Sequence, residues 1–209
     1  GKTMRAMLLT GFGGPEKLVY RTDVAVPIPK SGEVLVQVGA CGVNNTDIWT
    51  REGAYGSDEQ SGWQGGAFQF PRIQGADTVG RIVEVGEKVL RDRLGERVMV
   101  NPTIYPDTDN ALFDATYLGS EFDGGFAEYV CVPSANAHAV ESGLSDAQLA
   151  TFMTSYLTAE HMLNRAAVKA GETVLVTGAS GGVGSALVQL AGVRGARVVA
   201  IVGRGKEAQ

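Results

Sequence analysis

The chain has 209 residues, 44% of them hydrophobic and 20% charged, with a formal net charge of −5 at pH 7. These are the values of an ordinary globular protein, and the acidic balance argues against a broad nucleic-acid or anionic-membrane surface. No apolar run reaches the ~18 residues of a membrane-spanning helix, and the two well-separated cysteines, Cys41 and Cys131, do not form a disulfide framework. The segment Gly1-Lys2-Thr3-Met4 lacks a signal-peptide pattern, and the expectation is a cytoplasmic protein.

Taken in order, Met4 to Thr10 reads as a first strand, and Lys17 to Ala25, beyond a Gly-rich turn, as a second. After a breaker at Pro27, Pro29 and Ser31-Gly32, Glu33 to Val38 alternates with period two, as a half-buried strand does. Asn44 to Arg51 suits a short helix, and Gly53 to Phe70 an irregular loop that carries Tyr55 and Trp63. Thr78 to Val85, Gly95 to Val100 and Phe126 to Val132 read as further strands, with Asn101 to Ser120 as a long surface loop between the last two. Short strands separated by turn signals, with little helix, describe a β-rich domain over residues 1–144.

The pattern changes at Gly143. Ser145-Asp146-Ala147-Gln148 fits a capping box; helical patterning follows and stops at Gly171. Thr173 to Thr177 is an apolar β-branched run, followed by glycines at 178, 181, 182 and 184, a helical stretch ended by Gly195, and a second apolar run from Arg197 to Val202. Strand, glycine turn, helix and strand make a βαβ unit. The glycine spacing fits the dinucleotide fingerprint with Ala179 in its first position, followed by Gly181 and Gly184. The amides of Ala179, Ser180, Gly181, Gly182 and Val183, at the positive end of the helix dipole, are the expected diphosphate donors. Residues 145–209 are therefore read as the first part of a doubly wound parallel sheet. Two strands do not complete such a sheet.

About twenty residues beyond the fingerprint, where an acidic side chain would bind a ribose 2′-hydroxyl, stands Gly203-Arg204-Gly205-Lys206. Two cations there favour a 2′-phosphate, and so NADP(H) over NAD(H). A β-rich domain joined to a nucleotide-binding one suggests a cleft in which a small molecule meets the cofactor.

Several segments together resemble the medium-chain dehydrogenase/reductase superfamily: Gly32 to Val36, Cys41 to Asp47, Gly75 to Gly80, Gly95 to Val98, Gly124 to Tyr129 and Val174 to Gly184. The resemblance implies a GroES-like catalytic domain followed by a Rossmann domain, hydride transfer with a nicotinamide cofactor, and often a homodimer. Zinc-dependent members have a metal-binding cysteine where this chain has Asn44, Gly-His-Glu where it has Gly75-Ala76-Asp77, and a further ligand near Thr154. Zinc needs thiolate, imidazole or carboxylate ligands, three of them in a catalytic site, and no metal ligands are expected here. His138 and His161 are isolated and read as structural or surface residues.

What remains is similar to the zinc-independent branch, the quinone oxidoreductases and related enone reductases, acting on a small carbonyl or quinone. Asn44 has two readings: a cap for the following helix, or a hydrogen-bonding group for the substrate oxygen or nicotinamide ribose. Tyr55 is the other candidate catalytic residue, with packing as its alternative. Thr158 matches a family position near the nicotinamide; otherwise it is an ordinary helix residue. Ala179 to Val183, Gly203, Arg204 and Lys206 complete the cofactor set. Asp47 and Asp77 are expected to hold local structure. A metal-free alcohol dehydrogenase and a non-catalytic NADPH-binding protein are the competing functions.

Overall fold

A computed structural model describes residues 1–55, 68–111 and 113–208. The chain divides into two compact units, Gly1–Thr151 and Phe152–Gln209.

The first unit contains β1 (Thr3–Leu9), β2 (Leu18–Ala25), β3 (Glu33–Gly42), α1 (Asn45–Arg51), β4 (Arg72–Ile73), β5 (Asp77–Val85), β6 (Arg97–Val100), β7 (Thr103–Ile104), β8 (Thr116–Tyr117), β9 (Tyr129–Pro133), β10 (Ala137–Ala139) and α2 (Asp146–Leu149). One sheet runs β2-β1-β4 and the other β10-β6-β5-β3-β9, with antiparallel pairing throughout. Alternate residues of the larger sheet point to one side and build the core: Val34 and Val36 of β3, Ile82 of β5, Val98 and Val100 of β6, Val130 and Val132 of β9. Each such side chain withdrawn from water contributes on the order of 1.5–3 kcal/mol.

Two segments differ from the sequence expectation. Residues 101–120 are not all surface loop: β7 pairs with β8, and Ala115 and Leu118 are buried beside that short ladder. Two-residue strands leave no measurable alternation. β10, Ala137-His138-Ala139, lacks β-branched residues and is recruited by pairing with β6. Its histidine is exposed, as is His161.

α2 lies in the first unit. Its capping box is present: the Ser145 amide donates to Gln148 Oε1 over 2.9 Å and the Gln148 amide to Ser145 Oγ over 3.2 Å. Arg97 of β6 binds it, with Nε 2.8 Å from Asp146 Oδ1 and Nη2 2.7 Å from the Leu144 carbonyl. Gly39 and Gly42 of β3 admit this close approach; a Cβ on Gly42 would lie 2.3 Å from the Ala150 carbonyl oxygen.

The second unit contains α3 (Met153–Arg165), β11 (Thr173–Thr177), α4 (Gly182–Val193) and β12 (Arg197–Ile201). β11 and β12 pair in parallel, Thr173 opposite Arg197 through Thr177 opposite Ile201. α3 and α4 close one side of this pair around Ala159, Leu163, Val176, Ala186, Leu187 and Ala191. Arg194 clamps the two helices through Glu160, Nη2 to Oε1 over 2.6 Å, and through Asn164 Oδ1 over 2.9 Å.

Candidate active and dinucleotide-binding sites

In the first unit, β3 ends at Gly42 and the chain turns into α1 through Asn44, whose extended backbone makes it the N-cap. Asp47, in the first turn, reaches back so that its Oδ2 accepts the Asn44 amide hydrogen at 2.9 Å. Asn44 Nδ2 donates to Asp77 Oδ2 at 3.1 Å, which ties the helix start to the first residue of β5. Gln74 Nε2 donates to the Asp47 carbonyl at 3.0 Å. Asp47, Gln74 and Asp77 are all buried. Burial, reinforced by the neighbouring Asp77 charge, raises the Asp47 carboxyl to about 6, although backbone amides of Asn44 and Gly75 pull the other way.

Below this cluster lies Cys41, 3.8 Å from Thr78 Oγ1. Its thiol is pushed up to about 12, mainly by burial. Gly75 has φ +103°, and a Cβ there would lie 2.6 Å from the Phe126 ring and 2.8 Å from Cys41 Sγ, so only glycine fits. At the other end of α1, Arg51 is buried and donates from Nη1 to the Gly13 carbonyl over 2.7 Å. Tyr55 lies just beyond the helix. Its hydroxyl is 3.2 Å from Thr46 Oγ1, and its ring meets Trp49 edge-on with centroids 6.5 Å apart.

The two candidate catalytic residues, Asn44 and Tyr55, thus both meet the first turn of α1. Asn44 is held by Asp77, and Tyr55 reaches the residue two places beyond Asn44. The cap and hydrogen-bonding readings of Asn44 are compatible, because its backbone caps α1 while its side chain points to Asp77. Gln74, Thr46 and Arg51 are members of this site that the sequence reading did not single out; only an invariant spacing across relatives could have flagged them. Trp63 lies outside the described residues.

In the second unit, β11 passes into α4 through Gly178, which has φ +60°. Gly184 is where helix and strand touch: a Cβ there would stand 2.2 Å from the Gly178 carbonyl oxygen. A Cβ on Gly181 would meet only that same oxygen, at 3.3 Å, and otherwise open space. Gly184 thus has the close-packing role of the fingerprint glycines, while Gly181 leaves room beside the turn. The expected row of five amide donors narrows. The Ala179 amide donates to the Ile201 carbonyl and the Gly181 amide to the Gly178 carbonyl, each over 3.0 Å, so both hold the turn together. Ser180, Gly182 and Val183 are left, the last two ahead of the Ser185-to-Gly181 bond of 2.8 Å that opens the α4 ladder.

Ser155 of α3, also not anticipated, abuts this helix start; a Cβ on Gly182 would come within 2.7 Å of its Oγ. Thr158 is exposed one turn further along α3 on the same side. Beyond β12, the Lys206 amide donates to the Gly203 carbonyl over 3.1 Å, with Gly205 at φ +84°, so Arg204 sits at the tip of a tight turn. Arg204 and Lys206 are exposed and, among the described residues, make no ion pair.

Among the described residues no helix is long and apolar enough to cross a membrane, and no group of three or more His, Cys, Asp or Glu side chains is arranged to hold a metal ion.

The family model for the alcohol dehydrogenase GroES-like domain matches residues 30–142. The human quinone oxidoreductase is 36% identical over 203 residues, covering 97% of this chain and 54% of that protein. An NAD-dependent alcohol dehydrogenase of Sulfurisphaera tokodaii is 32% identical over 212 residues, covering 95% of this chain and 58% of that protein. Among solved structures, a protein of Sinorhizobium meliloti 1021 provisionally named an alcohol dehydrogenase is 57% identical, with a TM-score of 0.92 over 100% of this chain and 59% of that one. The chain therefore spans little more than half the length of these relatives. With the GroES-like domain matched over more than half of its residues and a parallel βαβ unit following it, the chain belongs to the medium-chain dehydrogenase/reductase superfamily.

Proposed function

We propose that the chain carries the catalytic domain and the first nucleotide-binding segment of an NADPH-dependent oxidoreductase that reduces a quinone or an α,β-unsaturated carbonyl without zinc. The observation that carries this reading is the Asn44 amide held by Asp77 over 3.1 Å, at the position where zinc-dependent members place a cysteine. An amide at 44, a methyl at Ala76 and a hydroxyl at Thr154 do not make a zinc donor set. Alcohol oxidation gains most from a Lewis acid that stabilises an alkoxide. Reduction of a conjugated acceptor asks only for hydrogen bonds to the oxygen where charge collects.

The side chains suit that task. The Asn44 amide nitrogen carries two hydrogens; Asp77 takes one and fixes the direction of the other toward a substrate oxygen. Tyr55, positioned by Thr46, offers a second hydroxyl donor. The Ser180, Gly182 and Val183 amides, with the positive end of α4, hold a diphosphate. The open space beside Gly181 admits it. Thr158 contributes a hydroxyl near the nicotinamide. Arg204 and Lys206, presented on the Gly203 turn, attract a 2′-phosphate. Bound NADPH supplies the hydride.

The test is titration of the full-length protein with NADPH and NADH, with and without Arg204→Asp, alongside metal analysis and turnover on quinones, enones and alcohols. NADPH is expected to bind more tightly, and Arg204→Asp to erase about tenfold or more of that preference. Unchanged discrimination, or stoichiometric zinc in the active protein, would overturn the reading. The 57% identity to the Sinorhizobium protein favours alcohol oxidation as a second reading, and the same panel separates the two.

A further inference from the structure

We infer that Arg51 and Gly53 are positioning residues: the cap they build at the C-terminal end of α1 sets where the Tyr55 hydroxyl stands. The inference rests on the donor role of Tyr55 proposed above.

The last four carbonyls of a helix lack partners within its regular ladder. Those of α1 each find one. The Ile48 carbonyl accepts the Glu52 amide at 2.9 Å, the Thr50 carbonyl the Gly53 amide at 3.1 Å and the Trp49 carbonyl the Ala54 amide at 2.8 Å. The last two bonds are those of a Schellman motif, and Gly53, with φ +74°, supplies its left-handed residue. The fourth carbonyl, that of Arg51, accepts the Gly13 amide at 2.8 Å, while Arg51 Nη1 donates back to the Gly13 carbonyl at 2.7 Å. The turn between β1 and β2 thus grips the helix end through one residue twice. Arg51 is 8% exposed. Glu52 Oε1 lies 3.6 Å from its Nη2, so the shorter bond to the main chain is the one that fixes it.

The cap reverses the chain. Tyr55, two residues beyond Gly53, comes back along α1: its ring meets Trp49 with centroids 6.5 Å apart, and its hydroxyl is 3.2 Å from Thr46 Oγ1. Thr46 and Trp49, three residues apart, share one side of the helix. Asp47 and Arg51, four apart and both buried, share the other. α1 is therefore held by its buried side, and the phenol is laid along the remaining one by the turn at Gly53. A donor stabilises a developing oxyanion only from about 3 Å, and a misplacement of about 1 Å is enough to lose most of its effect.

The experiment measures kcat of the full-length protein, on the acceptor it reduces fastest with NADPH, for Gly53→Val, Gly53→Asn and Arg51→Met, each with and without Tyr55→Phe. A β-branched residue fits φ +74° poorly, whereas asparagine tolerates it. Gly53→Val is expected to lower kcat roughly 10- to 100-fold, and Gly53→Asn to recover most of that loss. Arg51→Met keeps a buried stem and removes the bond to Gly13; it is expected to lower kcat about tenfold, and it decides the matter if Gly53→Val does not fold. Added to Tyr55→Phe, each substitution is expected to change kcat by less than about twofold, because the hydroxyl it would misplace is already gone. Equal losses with and without the phenolic hydroxyl would make Arg51 and Gly53 structural only and overturn the inference, while leaving Tyr55 a donor. If Tyr55→Phe alone keeps the wild-type kcat, Tyr55 is no donor and the inference falls with that reading.

Discussion

Asn44 Nδ2 donates to Asp77 Oδ2 over 3.1 Å, and through that one bond the N-cap of α1 is fixed to the first residue of β5. Asp77 is 2% exposed, so the amide compensates a buried carboxylate while it is itself oriented by it. Position 44 thus joins folding to chemistry, since the group proposed to face the substrate also anchors the helix that carries Thr46.

Asn44→Ala should therefore lower both stability and turnover. Losing a hydrogen bond to a buried charge costs about 1–3 kcal/mol. Loss of one donor to a developing oxyanion costs roughly 10²-fold in kcat. Urea unfolding and steady-state reduction of a quinone measure the two effects separately. An unchanged midpoint with unchanged kcat would remove Asn44 from both roles.

Asp47 makes the same region sensitive to pH. Its carboxyl is raised to about 6, above its unfolded value near 3.9. Between these values the folded state binds more protons than the unfolded chain, so stability is greatest below about pH 4 as far as this group is concerned and falls as pH rises through about 6. The span corresponds to a contribution on the order of 3 kcal/mol. Asp47→Asn keeps an acceptor for the Asn44 amide and does not titrate. The unfolding free energy of the wild type, minus that of Asp47→Asn, should fall between pH 4 and 7. Parallel curves would show that Asp47 titrates normally.

Much of this architecture can be read from the chain. The apolar run Val34-Leu35-Val36 states a strand, although all three are buried and the expected alternation starts only beyond them, and Ser145 with Gln148 states a helix start, because both signals are local and rest on backbone geometry. The βαβ unit is equally legible, since its glycines answer to one turn. The burial of Asp47, Gln74 and Arg51 is not: Gln74 donates to the Asp47 carbonyl and Arg51 to the Gly13 carbonyl, contacts between distant stretches of chain that no local period encodes. The division of labour among the turn amides is hidden for a similar reason. Ala179 and Ser180 are adjacent and equally small in context, yet only Ala179 faces the Ile201 carbonyl.

The two fingerprint glycines should respond differently to substitution. Gly184→Ala places a methyl 2.2 Å from the Gly178 carbonyl oxygen and 2.8 Å from Ala179 Cα. α4 must move off β11, at a cost of about 1–3 kcal/mol. Gly181→Ala meets only the Gly178 carbonyl oxygen, at 3.3 Å, with φ −80°. Its stability cost is that of a poorer N-cap, about 1 kcal/mol or less, but the methyl fills the space through which a diphosphate would approach. Thermal unfolding should rank Gly184→Ala as the more destabilised, while NADPH titration should show a loss for Gly181→Ala beyond its stability effect. Undiminished NADPH affinity in Gly181→Ala would place the diphosphate elsewhere.

The two thiols give a last test of the folded packing. Cys41 and Cys131 are unpaired, and burial pushes each up to about 12. Because the thiolate is the reacting form, neither should react at an appreciable rate with iodoacetamide at pH 7.5 in the folded protein. For Cys41, Gly75 and Gly125 close over the sulfur; a Cβ on either would lie 2.8 Å from Sγ. Cys131 is held in β9 between the carboxylates of Glu33 and Glu84, which oppose a second negative charge. Unfolding in guanidinium should return both to ordinary reactivity, and mass spectrometry of the modified peptides distinguishes them. Rapid native labelling of Cys41 would mean that the Gly75–Gly125 approach opens in solution, and rapid labelling of Cys131 that its strand does.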